Sequence, residues 1–177
     1  NSLWKNPDQL AEQALSTGDA QTAASLFQRP DWKAAAYYKA GQYEQALAEL
    51  ENQQTADSVY NRGNTLARMG RLQEALDSYD QALRLQPDSA EVFNNRGNAL
   101  GRLGRHEQAL SSFERALQRR PDYAEAHNNM GNALTKQGKL DEAIASFRQA
   151  IALKPDYTFA YYNMGNAFMD QGKLGEA

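Results

Sequence analysis

Apolar positions along the chain recur at steps of three and four. Ala75, Tyr79 and Ala82 are spaced in this way, as are Ala109, Phe113 and Ala116, and Ala143, Phe147 and Ala150. Such spacing predicts helices with one buried face, not the strict alternation of a strand. The three sets are themselves related by a step of 34 residues. The same step separates Gly70, Gly104, Gly138 and Gly172, then Gly63, Gly97, Gly131 and Gly165, then Pro87, Pro121 and Pro155. A fixed period of this length marks a repeat array.

In this register the repeats run 56–89, 90–123 and 124–157, with a truncated fourth at 158–177. Each unit reads as two helices. The glycine at position 15 supplies a left-handed turn between them. The glycine at position 8 and the alanines at positions 20 and 27 allow close approach, and the aromatic at position 24 (Tyr79, Phe113, Phe147) fills the space between the helices. Pro-Asp stops one helix and helps start the next. Residues 158–177 are expected to turn at Gly172 and to stop one turn into a second helix.

Upstream the period shrinks. The turn glycines at 18, 41 and 70 are 23 and 29 residues apart. The marks persist as Gly18, Ala23, Phe27 and Pro30-Asp31, then Gly41, Tyr43, Ala46 and Leu50. They predict two shortened hairpins at 7–29 and 31–54, with Trp4 and Trp32 anchoring this compact end. The chain thus divides into 1–55 and 56–177 within one continuous array.

This pattern resembles the tetratricopeptide repeat over residues 56–177. The resemblance implies an all-α fold, a right-handed α-solenoid of antiparallel helical hairpins, with a protein-interaction role. A narrower likeness runs through Leu3-Trp4, Asp8-Gln9, Gly18-Asp19, Phe27, Pro30-Asp31-Trp32, Tyr37, Gly41, Tyr43 and Tyr60-Asn61-Arg62-Gly63-Asn64. It is similar to the repeat region of bacterial membrane-anchored von Willebrand factor A proteins of the Bat type. The later repeats resemble consensus-type repeats such as those of O-GlcNAc-transferase-like proteins. The bacterial likeness leaves cytoplasm and periplasm both open, with a parent protein that is tethered to the inner membrane.

Composition narrows the chemistry. The 177 residues contain no cysteine and carry a net charge of −3, which removes disulfides, thiolate metal sites and thiol nucleophiles. A pI of 5.4 argues against a nucleic-acid module. No run approaches the ~18 apolar residues that a membrane helix needs. The chain begins at Asn1 with no signal-like segment, and it reads as a processed form or an excised fragment. Two histidines, His106 and His127, occupy packing positions, and no catalytic, cofactor or metal motif is present.

The candidate site is built from asparagines. Position 6 holds Asn61, Asn95, Asn129 and Asn163; position 9 holds Asn64, Asn98, Asn132 and Asn166. Residues three apart share a helix face. The resemblance implies that the first helices line a concave groove, where amide donors and acceptors suit an extended peptide backbone. The alternative use of these amides is hydrogen bonding between neighbouring repeats. Position 13 adds a basic stripe of Arg68, Arg102 and Lys136, and the 90–123 unit is the most basic. Such charge would steer an acidic or C-terminal peptide. Tyr60 and Tyr162 are candidate aromatic anchors. Arg62 and Arg96 at position 7 are read as structural. The carboxylate clamp of chaperone-binding family members needs Lys at position 5; Tyr60, Asn94, Asn128 and Tyr162 stand there, so that function is rejected.

These residues predict a non-catalytic scaffold for a protein or peptide. A second reading is a self-assembling array whose open end, with Tyr161, Met164, Phe168 and Leu174, forms a homo-oligomer contact. A third is a regulatory segment of a larger enzyme.

Overall fold

The computed structural model describes residues 6–175, and the side chains of residues 6–172. Trp4 and the side chain of Leu174 lie outside the described residues. Eleven α-helices and no strand are present among them. The chain forms two compact units, Asn1–Leu85 and Gln86–Ala177.

The first unit contains α1 (Pro7–Ser16), α2 (Ala20–Leu26), α3 (Pro30–Lys39), α4 (Tyr43–Leu50), α5 (Ala56–Arg68) and α6 (Leu72–Leu85). The second contains α7 (Ala90–Arg102), α8 (His106–Arg119), α9 (Ala124–Lys136), α10 (Leu140–Leu153) and α11 (Thr158–Gly175). Within each unit consecutive helices pack as hairpins. Helices α5, α7, α9 and α11 begin at residues 56, 90, 124 and 158, the first position of each repeat.

The short hairpins are held by local devices. Asn6 caps α1, accepting from Gln9 N at 2.8 Å, while the Gln9 side chain accepts from Asn6 N at 3.1 Å. This reciprocal pair satisfies two amides that a helix start leaves free. Trp32 packs edge-on against Phe27 at 5.5 Å, over a core of Ala11, Ala23, Ala24 and Ala36. Helices of seven to ten residues are marginal alone and depend on such packing.

Longer hairpins follow the expected close approach. Tyr79, Phe113 and Phe147 are buried, and Ala75, Ala82, Ala109, Ala116, Ala143 and Ala150 are at most 1% exposed. The aromatic rings sit where a side chain on the facing helix would be. A Cβ built on Gly63 would lie 2.7 Å from Tyr79 Cε1, and on Gly97 or Gly131 it would lie 2.5 Å from the Cε1 of Phe113 or Phe147. The turn glycines 18, 41, 70, 104 and 138 all have φ between +74° and +85°.

Three expectations change. Gly172 makes no turn: α11 runs unbroken from Thr158 to Gly175. A left-handed turn is stabilised by the helix that folds back after it, and no such helix follows among the described residues, so i→i+4 hydrogen bonding continues. For the same reason Gly165 meets nothing within 4 Å where a contact was expected. The Pro-Asp pairs also divide into two roles. Pro7 and Pro30 are the first residues of α1 and α3, where proline's missing N–H costs nothing. Pro87, Pro121 and Pro155 instead lie in the loops, two residues after α6, α8 and α10 end.

Candidate functional site

In the second unit the first helices α7, α9 and α11 carry positions 6, 9 and 13. A cleft of about 230 Å³ opens between α7 and α9. Gly97, Gly101, Ala133 and the ring of Phe113 line it, and Asn98, Asn129, Asn132, Arg102, Lys136 and His106 surround it. Five residues predicted from sequence are therefore gathered in one groove: Asn98, Arg102, Asn129, Asn132 and Lys136. Asn98, Arg102, Asn132 and Lys136 are exposed. The cleft offers carboxamides, two cations and a small apolar floor. It can hydrogen-bond a peptide backbone and attract a carboxylate.

Position 6 has a second engagement. Asn129 Nδ2 donates to Asn94 Oδ1 at 3.0 Å, and Asn163 Nδ2 donates to Asn128 Oδ1 at 3.1 Å. Asn94 in turn donates to Asn95 Oδ1 at 3.2 Å. Asn94 and Asn128 are each only 4% exposed, so these bonds satisfy amides that would be costly to bury unpaired. Asn129 and Asn163 at position 6 thus tie one repeat to the next, which was the alternative reading of the ladder, whereas Asn95 accepts from Asn94 of its own repeat. Asn166 and Tyr162 lie on α11, away from the cleft.

In the first unit a cleft of about 210 Å³ is lined by Ala34, Ala35, Tyr38, Lys39, Leu50, Asn61, Asn64 and Thr65. Asn64 Oδ1 accepts from the Tyr79 hydroxyl at 2.9 Å. Phe113 and Phe147 stand at the equivalent place in the second unit and have no hydroxyl to donate to Asn98 and Asn132. Arg68 Nε donates to the Tyr38 hydroxyl at 3.0 Å, and this bond holds the guanidinium above its ordinary pKa. Tyr60 stacks obliquely on Tyr79 at 6.2 Å.

Tyr38, Lys39, Gly101 and His106 were not singled out as groove residues. For Lys39 a signal existed. Counted back from its turn glycine, Gly41, Lys39 holds the same place as Arg68 before Gly70 and Lys136 before Gly138. The shortened period hid that alignment.

Arg62 and Arg96 reach across their hairpins. Arg62 donates to Ser78 Oγ at 3.3 Å and to Gln81 Oε1 at 2.7 Å; Arg96 donates to Ser112 Oγ at 2.8 Å. Ser78 and Ser112 are buried, which makes these bonds internal supports. His127 Nε2 lies 3.0 Å from the Pro121 carbonyl oxygen, at a half-buried packing position.

The open face of α11 is different in kind. Phe159, Tyr161, Tyr162, Phe168 and Met169 are exposed, Phe159 by 72% and Tyr162 by 68%. The repeat positions of Tyr162 and Phe168 are buried on α7 and α9, at Asn94 and Leu100 and at Asn128 and Leu134, whereas Glu91 and Glu125 at the position of Phe159 are exposed. Met164 instead packs inward on the core of Leu134, Ile144 and Phe147. Among the described residues, no group of histidine and acidic side chains is placed to hold a metal ion, and no helix is long and apolar enough to cross a membrane.

Family models described as tetratricopeptide repeat match residues 32–52, 53–122 and 100–146, and one described as TPR repeat matches residues 131–172. A search of curated proteins gave no match. Among solved structures, MamA is 19% identical with a TM-score of 0.73, over 82% of this chain and 95% of MamA. YrrB, described as a TPR protein with an unusual peptide-binding site, is 20% identical with a TM-score of 0.70, over 88% and 89%. The first TPR of Spaghetti (RPAP3), solved with an HSP90 peptide, is 24% identical with a TM-score of 0.65, over 68% and 96%.

Proposed function

We propose that this chain, which is built from tetratricopeptide repeats, is a non-catalytic scaffold that binds an extended peptide segment of a partner protein. The observation that carries this reading is the α7–α9 cleft, where exposed amides and two cations surround a small apolar floor. Peptide binding by the similar structures YrrB and Spaghetti supports it. The likeness of the first half to repeats of bacterial membrane-anchored proteins favours a partner within a membrane-associated assembly.

The test is a display library of random heptapeptides, selected against the full chain. Selected peptides should lose affinity by more than about tenfold on the double charge reversal Arg102→Glu and Lys136→Glu. Both side chains are exposed, so helical circular dichroism should not change. Peptides that bind the reversed chain equally well would count against the groove. The exposed Asn132 is a better amide probe than Asn129, whose loss would also release Asn94.

A second reading, self-assembly through α11, is favoured by the exposed stripe of Phe159, Tyr162 and Met169 beside Tyr161 and Phe168. Apolar side chains at helical spacing on one face suit a second helix. Sedimentation at high concentration should show association that Tyr162→Ser with Phe168→Glu abolishes. A strictly monomeric parent chain would sink this reading.

A further inference from the structure

Gly101 is a glycine without an internal reason. It lies in the last turn of α7 and is not among the glycines with positive φ. A Cβ built on it would meet nothing within 4 Å. Gly63, Gly97 and Gly131, by contrast, each face an aromatic ring that forbids a side chain. At the same repeat position as Gly101 the chain carries Ala67, Thr135 and Met169, so the hairpin accepts side chains there. Glycine costs a helix up to about 1 kcal/mol relative to alanine, and no packing among the described residues offsets that here.

What Gly101 does is open the α7–α9 cleft. With Gly97 and Ala133 it leaves the floor free of side-chain bulk other than the ring of Phe113. The cleft volume of about 230 Å³ is below the ~300–1,000 Å³ typical of sites for drug-sized molecules. It therefore suits one side chain of a longer ligand. Arg102 and Lys136 flank that floor.

We propose that Gly101 determines specificity. The space it leaves accepts a single aliphatic side chain of a bound peptide, and Arg102 and Lys136 engage a carboxylate on a neighbouring peptide residue. This inference rests on the peptide-binding reading and deepens it. A larger residue at 101 would fill the floor while every cation and asparagine of the cleft stays in place in the sequence.

The experiment uses the same heptapeptide library against three full-length proteins: the parent, Gly101→Ala and Gly101→Met, the last taken from the chain's own Met169. The parent should select peptides with an aliphatic residue beside an acidic one. Gly101→Met should bind those peptides about tenfold more weakly, the cost of overfilling a packed site. It should regain affinity for variants with glycine in place of the aliphatic residue. Gly101→Ala should be intermediate, with a raised melting temperature, so that stability and binding move in opposite directions. If Gly101→Met binds the parent's peptides unchanged while Arg102→Glu with Lys136→Glu abolishes binding, this inference is overturned and the peptide reading stands. If no peptide is selected, or binding ignores the charge reversal, both are overturned.

Discussion

Gly131→Ala should lower the unfolding free energy by about 1–3 kcal/mol, the usual cost of overpacking a filled core. The same substitution at Gly165 should raise it by about 0.5–1 kcal/mol. At Gly131 the new Cβ would stand 2.5 Å from Phe147 Cε1 and 2.8 Å from Cδ1 and Cζ. No real contact is that short, so ring or helix must shift. Phe147 is 0% exposed, so the ring can move only by displacing its neighbours in a packed core. At Gly165 nothing lies within 4 Å, and alanine removes only the entropic cost of glycine in a helix. Urea denaturation at unchanged m-value reads both changes. Equal signs at the two sites would show that the ring of Phe147 does not pack against Gly131.

Phe147→Ala should cost about 3–5 kcal/mol, the range for emptying a large aromatic site in a core. The ring belongs to one buried cluster with Leu134, Ala143, Ile144 and Ala167, residues of three helices that cannot all collapse into the gap. Phe168→Ala should cost less than about 1 kcal/mol, in the range of a surface change, because Phe168 is 43% exposed. The same urea titrations serve. Gly131→Ala and Phe147→Ala share one space, so the double variant should be more stable than the sum of the two costs predicts. Strict additivity would mean that the ring and the glycine do not meet.

Much of the groove was legible because its positions repeat. Asn98, Asn132, Arg102 and Lys136 could be placed on one face by counting from the turn glycines, and the structure brings all four to one cleft. Other assignments needed neighbours that are distant in sequence. Asn64 and Asn98 are equivalent in the repeat, yet Asn64 accepts from the Tyr79 hydroxyl, and Phe113 offers Asn98 no such donor. The difference of one oxygen atom is visible in the sequence. Its reach across the hairpin is not. Asn129 likewise looks like Asn132 until its bond to Asn94, 35 residues away, is seen.

The sequence by itself determined the helical hairpins, their starts at 56, 90, 124 and 158, their turns and the glycine–aromatic contacts of the full repeats. Those features follow from local periodicity and from backbone conformations that few residues can adopt. Tertiary structure alone decided which of the equivalent positions have a partner. Gly165 and Gly172 match their counterparts letter for letter, and neither behaves as they do, because a close contact or a fold-back turn exists only when another helix occupies the facing side. The same absence among the described residues leaves Tyr162 and Phe168 exposed on α11, where Asn94, Asn128, Leu100 and Leu134 are buried at the same repeat positions. Burial is a property of neighbours, and a repeated residue acquires it only where the neighbouring helix is present.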